Sequence, residues 1–286
     1  MIVRLLTLGL ALLATPAVAS AQAPACPQFF PGGQPPALVN ARLGERATLL
    51  CNDAYAVLAS GLTHGAIWSA EHPTAASLEA ARGTPRQGQF HAEDRLPPAD
   101  QAQIEDYRRS GFDRGHMTPS GDMPDEQAQQ QSFSLANMVP QTAQLNRGVW
   151  AGIEMAVRRL AMRQGELYLV TGPAFQGGNL KSIGPDGVLV PTSTWKAVYD
   201  PVAGGAGAYV CTNVVAPQCD AVSVAMLTRM TGIDPFPALP AGVKEAAMTL
   251  PSPKASRYAP GHRRQRREPV GALAQFLNRY EHPWPS

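Results

Sequence analysis

The segment Asp113-Arg114-Gly115-His116 holds the one histidine, of six in the chain, that sits in a dense polar cluster; it follows Tyr107-Arg108-Arg109-Ser110-Gly111-Phe112. An imidazole titrates near neutrality and can take a proton from water, so it suits a general base for hydrolysis. If the segment is extended, Arg114 points to the same side as His116 and sets a guanidinium fork for a phosphate beside the base. Gly115 between them lets a backbone or a substrate approach closely. Asp113 either orients the base or anchors the loop, and we read it as an anchor. A histidine beside an arginine is weak evidence alone, so other residues have to supply the rest of the chemistry.

They follow in Phe133-Ser134-Leu135-Ala136-Asn137-Met138-Val139-Pro140-Gln141 and in the stretch from Asn146 to Arg158. Val149, Ile153, Val157 and Leu160 recur at helical spacing, which predicts a helix from Leu145 to Gln164 with one face in the core, closed by Gly165. Glu154 and Arg158, four apart on an adjoining face, either act together or form an ordinary helix ion pair. Asn146 stands at the helix start, where asparagine is a preferred N-cap, and spacing alone favours that reading. Trp150 on this helix is read as core packing rather than a base-stacking ring, and Met117 and Met138 as packing neighbours. His64, His72, His91, His262 and His282 read as surface or loop residues.

The elements that must carry these residues are legible in part. Ala54–Ala59, Leu167–Thr171 and Trp195–Tyr199 read as strands, the last two bounded by Gly165, Gly172-Pro173 and Asp200-Pro201. Ala208–Cys211 follows a glycine-rich turn and pairs with Trp195–Tyr199 as a hairpin. A second helix is expected from Val222 to Met230, ending before Gly232. The mixture is α+β, with a central, largely antiparallel sheet flanked by helices.

Composition bounds the setting. Arg4, an apolar run from Leu5 to Leu13 and the small residues Ala17 to Ala21 read as an export signal over residues 1–21, with cleavage after Ala19, Ala21 or Ala23 all permitted. The run is too short for a stable bilayer anchor. Residues 22–286 then form a single domain with a well-buried core. Cys26, Cys51, Cys211 and Cys219 all fall in the exported part, and an even count in an oxidising compartment favours disulfides; proximity pairs Cys26 with Cys51 and Cys211 with Cys219. The cysteines lack the spacing and the nearby histidines of a zinc site. Net charge is +2, too small to announce a nucleic-acid binder. Its distribution says more: acidic residues crowd Glu93 to Glu126, while Lys254, Arg257, Arg263, Arg264, Arg266 and Arg267 make a basic stretch over residues 254–267. That stretch either neutralises phosphates or is a solvated tail.

Taken together, Asp113-Arg114-Gly115-His116, Asn137-Met138-Val139-Pro140-Gln141, Asn146 and Glu154 resemble the signature of the DNA/RNA non-specific endonucleases. That family includes secreted bacterial nucleases and endonuclease G, within the ββα-metal or His-Me finger superfamily. Asp106-Tyr107, Val190-Pro191-Thr192 with Trp195-Lys196, and Thr231 to Pro237 also resemble stretches of it, so the likeness runs from about Cys51 to Leu239. The resemblance implies a ββα-metal motif with His116 as general base and Asn146 as the direct ligand of a magnesium ion, for which manganese substitutes. It implies that Glu154 reaches the same ion through water, a direct carboxylate ligand being the alternative. Arg114 and Arg158 are implied to grip the scissile or a neighbouring phosphate, and Asn137 to hold the site through hydrogen bonds. Arg86 matches poorly and is not counted. The implied reaction is endonucleolytic cutting of DNA and RNA with little sequence preference, leaving 5′-phosphate ends, by a periplasmic or secreted enzyme without a membrane anchor. A homodimer is compatible with it. Two other readings stay open: an exported nucleic-acid-binding protein without catalysis on the same scaffold, and a hydrolase of another phosphodiester.

Overall fold

Residues 25–254, 256 and 260 are described by the computed structural model. The signal segment 1–21, Arg257, Arg263, Arg264, Arg266, Arg267, His262 and His282 lie outside them.

Apolar runs between turn residues form the strands. In chain order these are β1 (Ala47–Cys51), β2 (Tyr55–Ser60), β3 (Gly65–Glu71), β4 (Asp113–His116), β5 (Met138–Gln141), β6 (Tyr168–Ala174), β7 (Ser193–Asp200), β8 (Gly205–Thr212) and β9 (Cys219–Val222). The main helices are α1 (Ala75–Gly83), α2 (Glu126–Ser132), α3 (Ala151–Gln164) and α4 (Val224–Thr231). Seven strands make one antiparallel sheet in the order β9-β8-β7-β6-β3-β2-β1. The expected hairpin is β7–β8, in register from Ser193↔Thr212 to Asp200↔Gly205. Its turn is held by the Asp200 carboxylate, which accepts from the backbone N–H groups of Val202 and Ala203, an arrangement typical of aspartate at a turn.

Both faces of the sheet are covered. One face, with Trp68, Val170, Trp195 and Ala197, packs under α4 and the segment around Phe29-Phe30. The other, with Leu169, Val198 and Tyr209, packs under α3 through Trp150, Ile153, Val157 and Leu160, joined by Leu78 of α1. Strand alternation puts Trp195 and Ala197 on the first face and Lys196 and Val198 on the second. The sheet is therefore the core of a three-layer α+β domain.

Beside the second face, β4 and β5 form a separate antiparallel pair in which Gly115 opposes Val139 and His116 opposes Met138. This pair with α3 is the expected two strands and a helix. Gly115 is required by a close approach: a Cβ there would stand 2.2 Å from Gln141 Oε1, well inside contact distance.

Both disulfides form as paired by proximity, Cys26 with Cys51 and Cys211 with Cys219. The helix expected from Leu145 to Gln164 is not continuous. Leu145–Trp150 is a wider π-helical turn broken at Gly148 (φ −97°, ψ −110°), and regular α3 begins at Ala151. A π-turn of this kind often marks a functional position in a helix. The second helix starts at Val224 rather than Val222, which ends β9. Strands β1 and β3 and helix α1 were not anticipated; β3 carries Ser69 and Glu71 inside a fully buried strand, which breaks the apolar pattern.

Candidate active site

A cleft of about 750 Å³ opens between the β4–β5 pair and α3, and Arg114, His116, Asn146, Glu154 and Arg158 all line it. These residues come from a strand and, tens of residues later, from a π-turn and the helix that continues it. Arg114 and His116 both reach the cleft because β4 is extended and Gly115 lies between them.

His116 is only 9% exposed, with its ring edge-on to Phe133 at 5.0 Å between centroids. Its Nε2 is buried and has no hydrogen-bond partner among the described residues. Burial, reinforced by the Arg86 guanidinium, pushes the imidazole down to about 3. The ring is therefore neutral at physiological pH, which is the form that accepts a proton. The guanidinium of Arg114 lies 4.6 Å from the Phe90 ring and 5.8 Å from the Tyr107 ring. Aromatic faces hold the cation without consuming its N–H donors.

Asn146 does not cap its helix. Its Nδ2 donates to Asp113 Oδ2 at 3.0 Å, and the capping contact is made by Thr142, whose Oγ1 accepts from the Leu145 N–H at 3.3 Å. The other hydrogen bonds of the Asp113 carboxylate come from Arg147. An ionised carboxylate only accepts, so the Asn146 amide must turn its NH₂ toward Asp113 and leave Oδ1 free.

Glu154 and Arg158 do not pair with each other as helix spacing allowed. Arg158 Nε instead engages Asp122, which precedes α2. Burial pushes the Glu154 carboxyl up to about 7, against Lys196 and Arg158, which pull it down. Beneath it, on the covered sheet face, lies a group not anticipated from sequence. Lys196 donates to Thr171 and stands 3.8 Å from Glu71, all of them buried. Burial, with Asp122 adding to it, pushes Glu71 up to about 8. A lysine in the middle of a buried strand was the available signal, because lysine is almost never fully buried unless paired.

Asn137, counted with the catalytic residues and expected to hold the site through hydrogen bonds, is 0% exposed and uses its amide internally. Oδ1 accepts from Ser69 Oγ and the Thr118 N–H, while Nδ2 donates to the carbonyls of Thr118 and Ser132. It positions the residues after His116 against β3 and α2 and has no surface for a substrate. Arg86, not counted from sequence, does line the cleft, 5.2 Å from the Phe133 ring. Trp150, Met117 and Met138 are core residues, as read.

The sequence profile of the DNA/RNA non-specific endonucleases matches residues 37–242. The chain belongs to that family. This non-specific endonuclease-family chain is 36% identical over 196 residues to the mitochondrial nuclease EXOG of Danio rerio, covering 60% of this chain and 56% of that protein. It thus spans little more than half the length of that relative. It is 30% identical over 240 residues to mitochondrial Nuclease 1 of Schizosaccharomyces pombe, covering 75% and 71% of the two chains. With mitochondrial endonuclease G of Bos taurus the identity is 32% over 200 residues, covering 66% and 67%. Its fold matches a chain in the crystal structure of the EndoG/EndoGI complex with a TM-score of 0.61 at 26% identity, over 69% of this chain and 92% of that one. The family match takes in Arg86, the β4–β5 pair and α3, which line or frame the cleft, and Lys196 beneath it.

The residues of this endonuclease-family cleft fit a divalent cation. Asn146 Oδ1, left open by Asp113, and the Glu154 carboxylate are oxygen donors, the type that hard cations take. No group of three or more His, Cys, Asp or Glu side chains placed for a metal occurs among the described residues. One amide and one carboxylate are what the cleft offers, and a cation that keeps most of its water shell would match that set.

Proposed function

We propose that the chain is an exported, magnesium-dependent endonuclease, with manganese able to substitute, that hydrolyses DNA and RNA phosphodiesters with little sequence preference and leaves 5′-phosphate ends. The observation that carries this reading is the convergence of His116, whose Nε2 has no hydrogen-bond partner among the described residues, with Arg114, Asn146 and Glu154 in one cleft. Membership of the family and the nuclease names of its relatives support it.

His116 takes the proton of the attacking water. Its lowered proton affinity would make it a weak base in the empty cleft. A phosphodiester anion held by Arg86 and Arg114 offsets the Arg86 charge and raises that affinity when the proton must move. Arg114 and Arg158 offer charge-assisted hydrogen bonds to the phosphate that strengthen as its negative charge grows. Asn146 and Glu154 would hold the cation. When bound, it supplies positive charge that stabilises the phosphorane-like transition state and the leaving 3′ oxygen. Phosphate contacts carry no sequence information, and the charged groups of the cleft suit phosphate, so low specificity follows.

Both disulfides support an oxidising compartment. No helix among the described residues is long and apolar enough to cross a membrane.

The test is cleavage of supercoiled plasmid and of RNA with magnesium, with and without chelator, followed by end analysis of the products. His116→Ala is expected to lower kcat by about 10²- to 10⁴-fold. Nicking by His116→Ala at the wild-type rate would remove the base, and undiminished cutting in chelator would remove the cation.

A further inference from the structure

Phe112 is a wall shared by two cavities. On one side it lines the cleft that holds His116 and Asn146; on the other it lines a groove of about 390 Å³. That groove lies between residues 179–181 and residues 212–214, over the ends of β7 and β8. Its described lining contains no carboxylate: Lys181 supplies a positive charge, and Asn179, Gln176 and Thr212 supply amides and a hydroxyl. Lys181 Nζ stands 4.8 Å from the Phe112 ring centroid, so the charge sits at the ridge between the two cavities. Lys181 and Asn179 are exposed, and Lys181 has no ion-pair partner among the described residues.

The groove is built on the same frame as the cleft. Asn213 Nδ2 donates to the carbonyls of Pro140 and Pro191, and its Oδ1 accepts from the Thr142 N–H at 2.8 Å. Thr142 Oγ1 in turn donates to the Val214 carbonyl at 3.0 Å. Pro140 belongs to β5, and Thr142 leads into the turn that carries Asn146. One buried asparagine thus ties the groove wall to both arms of the site.

Resting on the nuclease reading above, we infer that this groove is a subsite for the polynucleotide strand outside the cleft, with Lys181 binding a phosphate that flanks the one at His116. Asn179 contacts the sugar–phosphate backbone beyond it. A positive, carboxylate-free groove across the Phe112 ridge from a cleft for a polyanion is what such a strand requires, and it reads backbone rather than bases.

The experiment compares kcat/KM for single-stranded oligonucleotides from three to twelve nucleotides, using wild type, Lys181→Gln, Lys181→Arg and Asn179→Asp. The same enzymes are titrated in chelator with a fluorescent twelve-nucleotide strand to give Kd. For wild type, kcat/KM rises with length. Lys181→Gln and Asn179→Asp lower the twelve-to-three ratio by about 3- to 10-fold through KM, and weaken Kd alike, while Lys181→Arg restores both. With Lys181→Gln, the slope of log Kd against log salt becomes shallower by about 0.7. Both positions are exposed, so folding is not at stake. Cleavage with a ratio that neither variant changes overturns this inference alone. No cleavage of any length by the wild type overturns the nuclease reading and this inference with it.

Discussion

Asp113 and Asn146, thirty-three residues apart, are joined by a 3.0 Å hydrogen bond from the Asn146 amide to the Asp113 carboxylate. The bond decides which end of the amide faces the cleft. It also makes Asp113, two residues before Gly115 on the strand that carries His116, the partner that orients the proposed cation ligand on the π-turn. Groups that orient a metal ligand commonly matter to affinity almost as much as the ligand does.

Asp113→Ala is therefore expected to raise the magnesium concentration for half-maximal plasmid nicking by about 10- to 100-fold. Arg147→Ala, which leaves the Asp113–Asn146 bond in place, should shift that midpoint far less. Equal midpoints for wild type and Asp113→Ala would end the orienting role.

Asn137→Ala leaves the Thr118 and Ser132 carbonyls, the Thr118 N–H and the Ser69 hydroxyl short of partners in a buried interior. The expected cost is about 3 kcal/mol, read as a lower urea midpoint. A variant with an unchanged midpoint and no activity would instead put Asn137 in the chemistry.

The raised Glu154 carboxyl makes a signed prediction for the chelated protein. Because the folded value lies above the unfolded one, the contribution of Glu154 to stability is fully present below the ordinary carboxyl range. It is lost as pH rises toward about 7. His116, with its lowered value, acts with the opposite sign: its contribution is present above the ordinary histidine range and is lost as pH falls toward about 3. The difference in Tm between Glu154→Gln and wild type isolates the first effect. It should be near zero at acid pH and grow to about 5 °C by pH 8 in chelator, then shrink when magnesium is added. A difference that is constant with pH would show that Glu154 is not strained by burial.

The two disulfides should not be equivalent. Cys26–Cys51 closes a separation of 25 residues and Cys211–Cys219 one of 8. Loop-closure entropy gives about 3.5 and about 2.5 kcal/mol for them. Urea unfolding of Cys26→Ala/Cys51→Ala and Cys211→Ala/Cys219→Ala is expected to rank them in that order, and the reverse order would count against an entropic origin.

Residue type and short-range spacing by themselves located the α3 face, the β7–β8 hairpin and His116 as a candidate base. An imidazole beside an arginine, a 3.6-residue apolar period and a turn rich in glycine are all local signals. They also located Asn146 and Glu154, but spacing favoured a helix cap for the first and left an ion pair with Arg158 open for the second. Both assignments changed when Asp113 and Asp122 arrived from other segments to take Asn146 and Arg158. Arg86 in the cleft and the buried Glu71–Lys196 pair beneath it were decided by tertiary structure alone. Each depends on strands and loops tens of residues apart meeting around a partly buried site. There, burial and the charges of neighbours set what a side chain can do, and neither exists until the chain has folded.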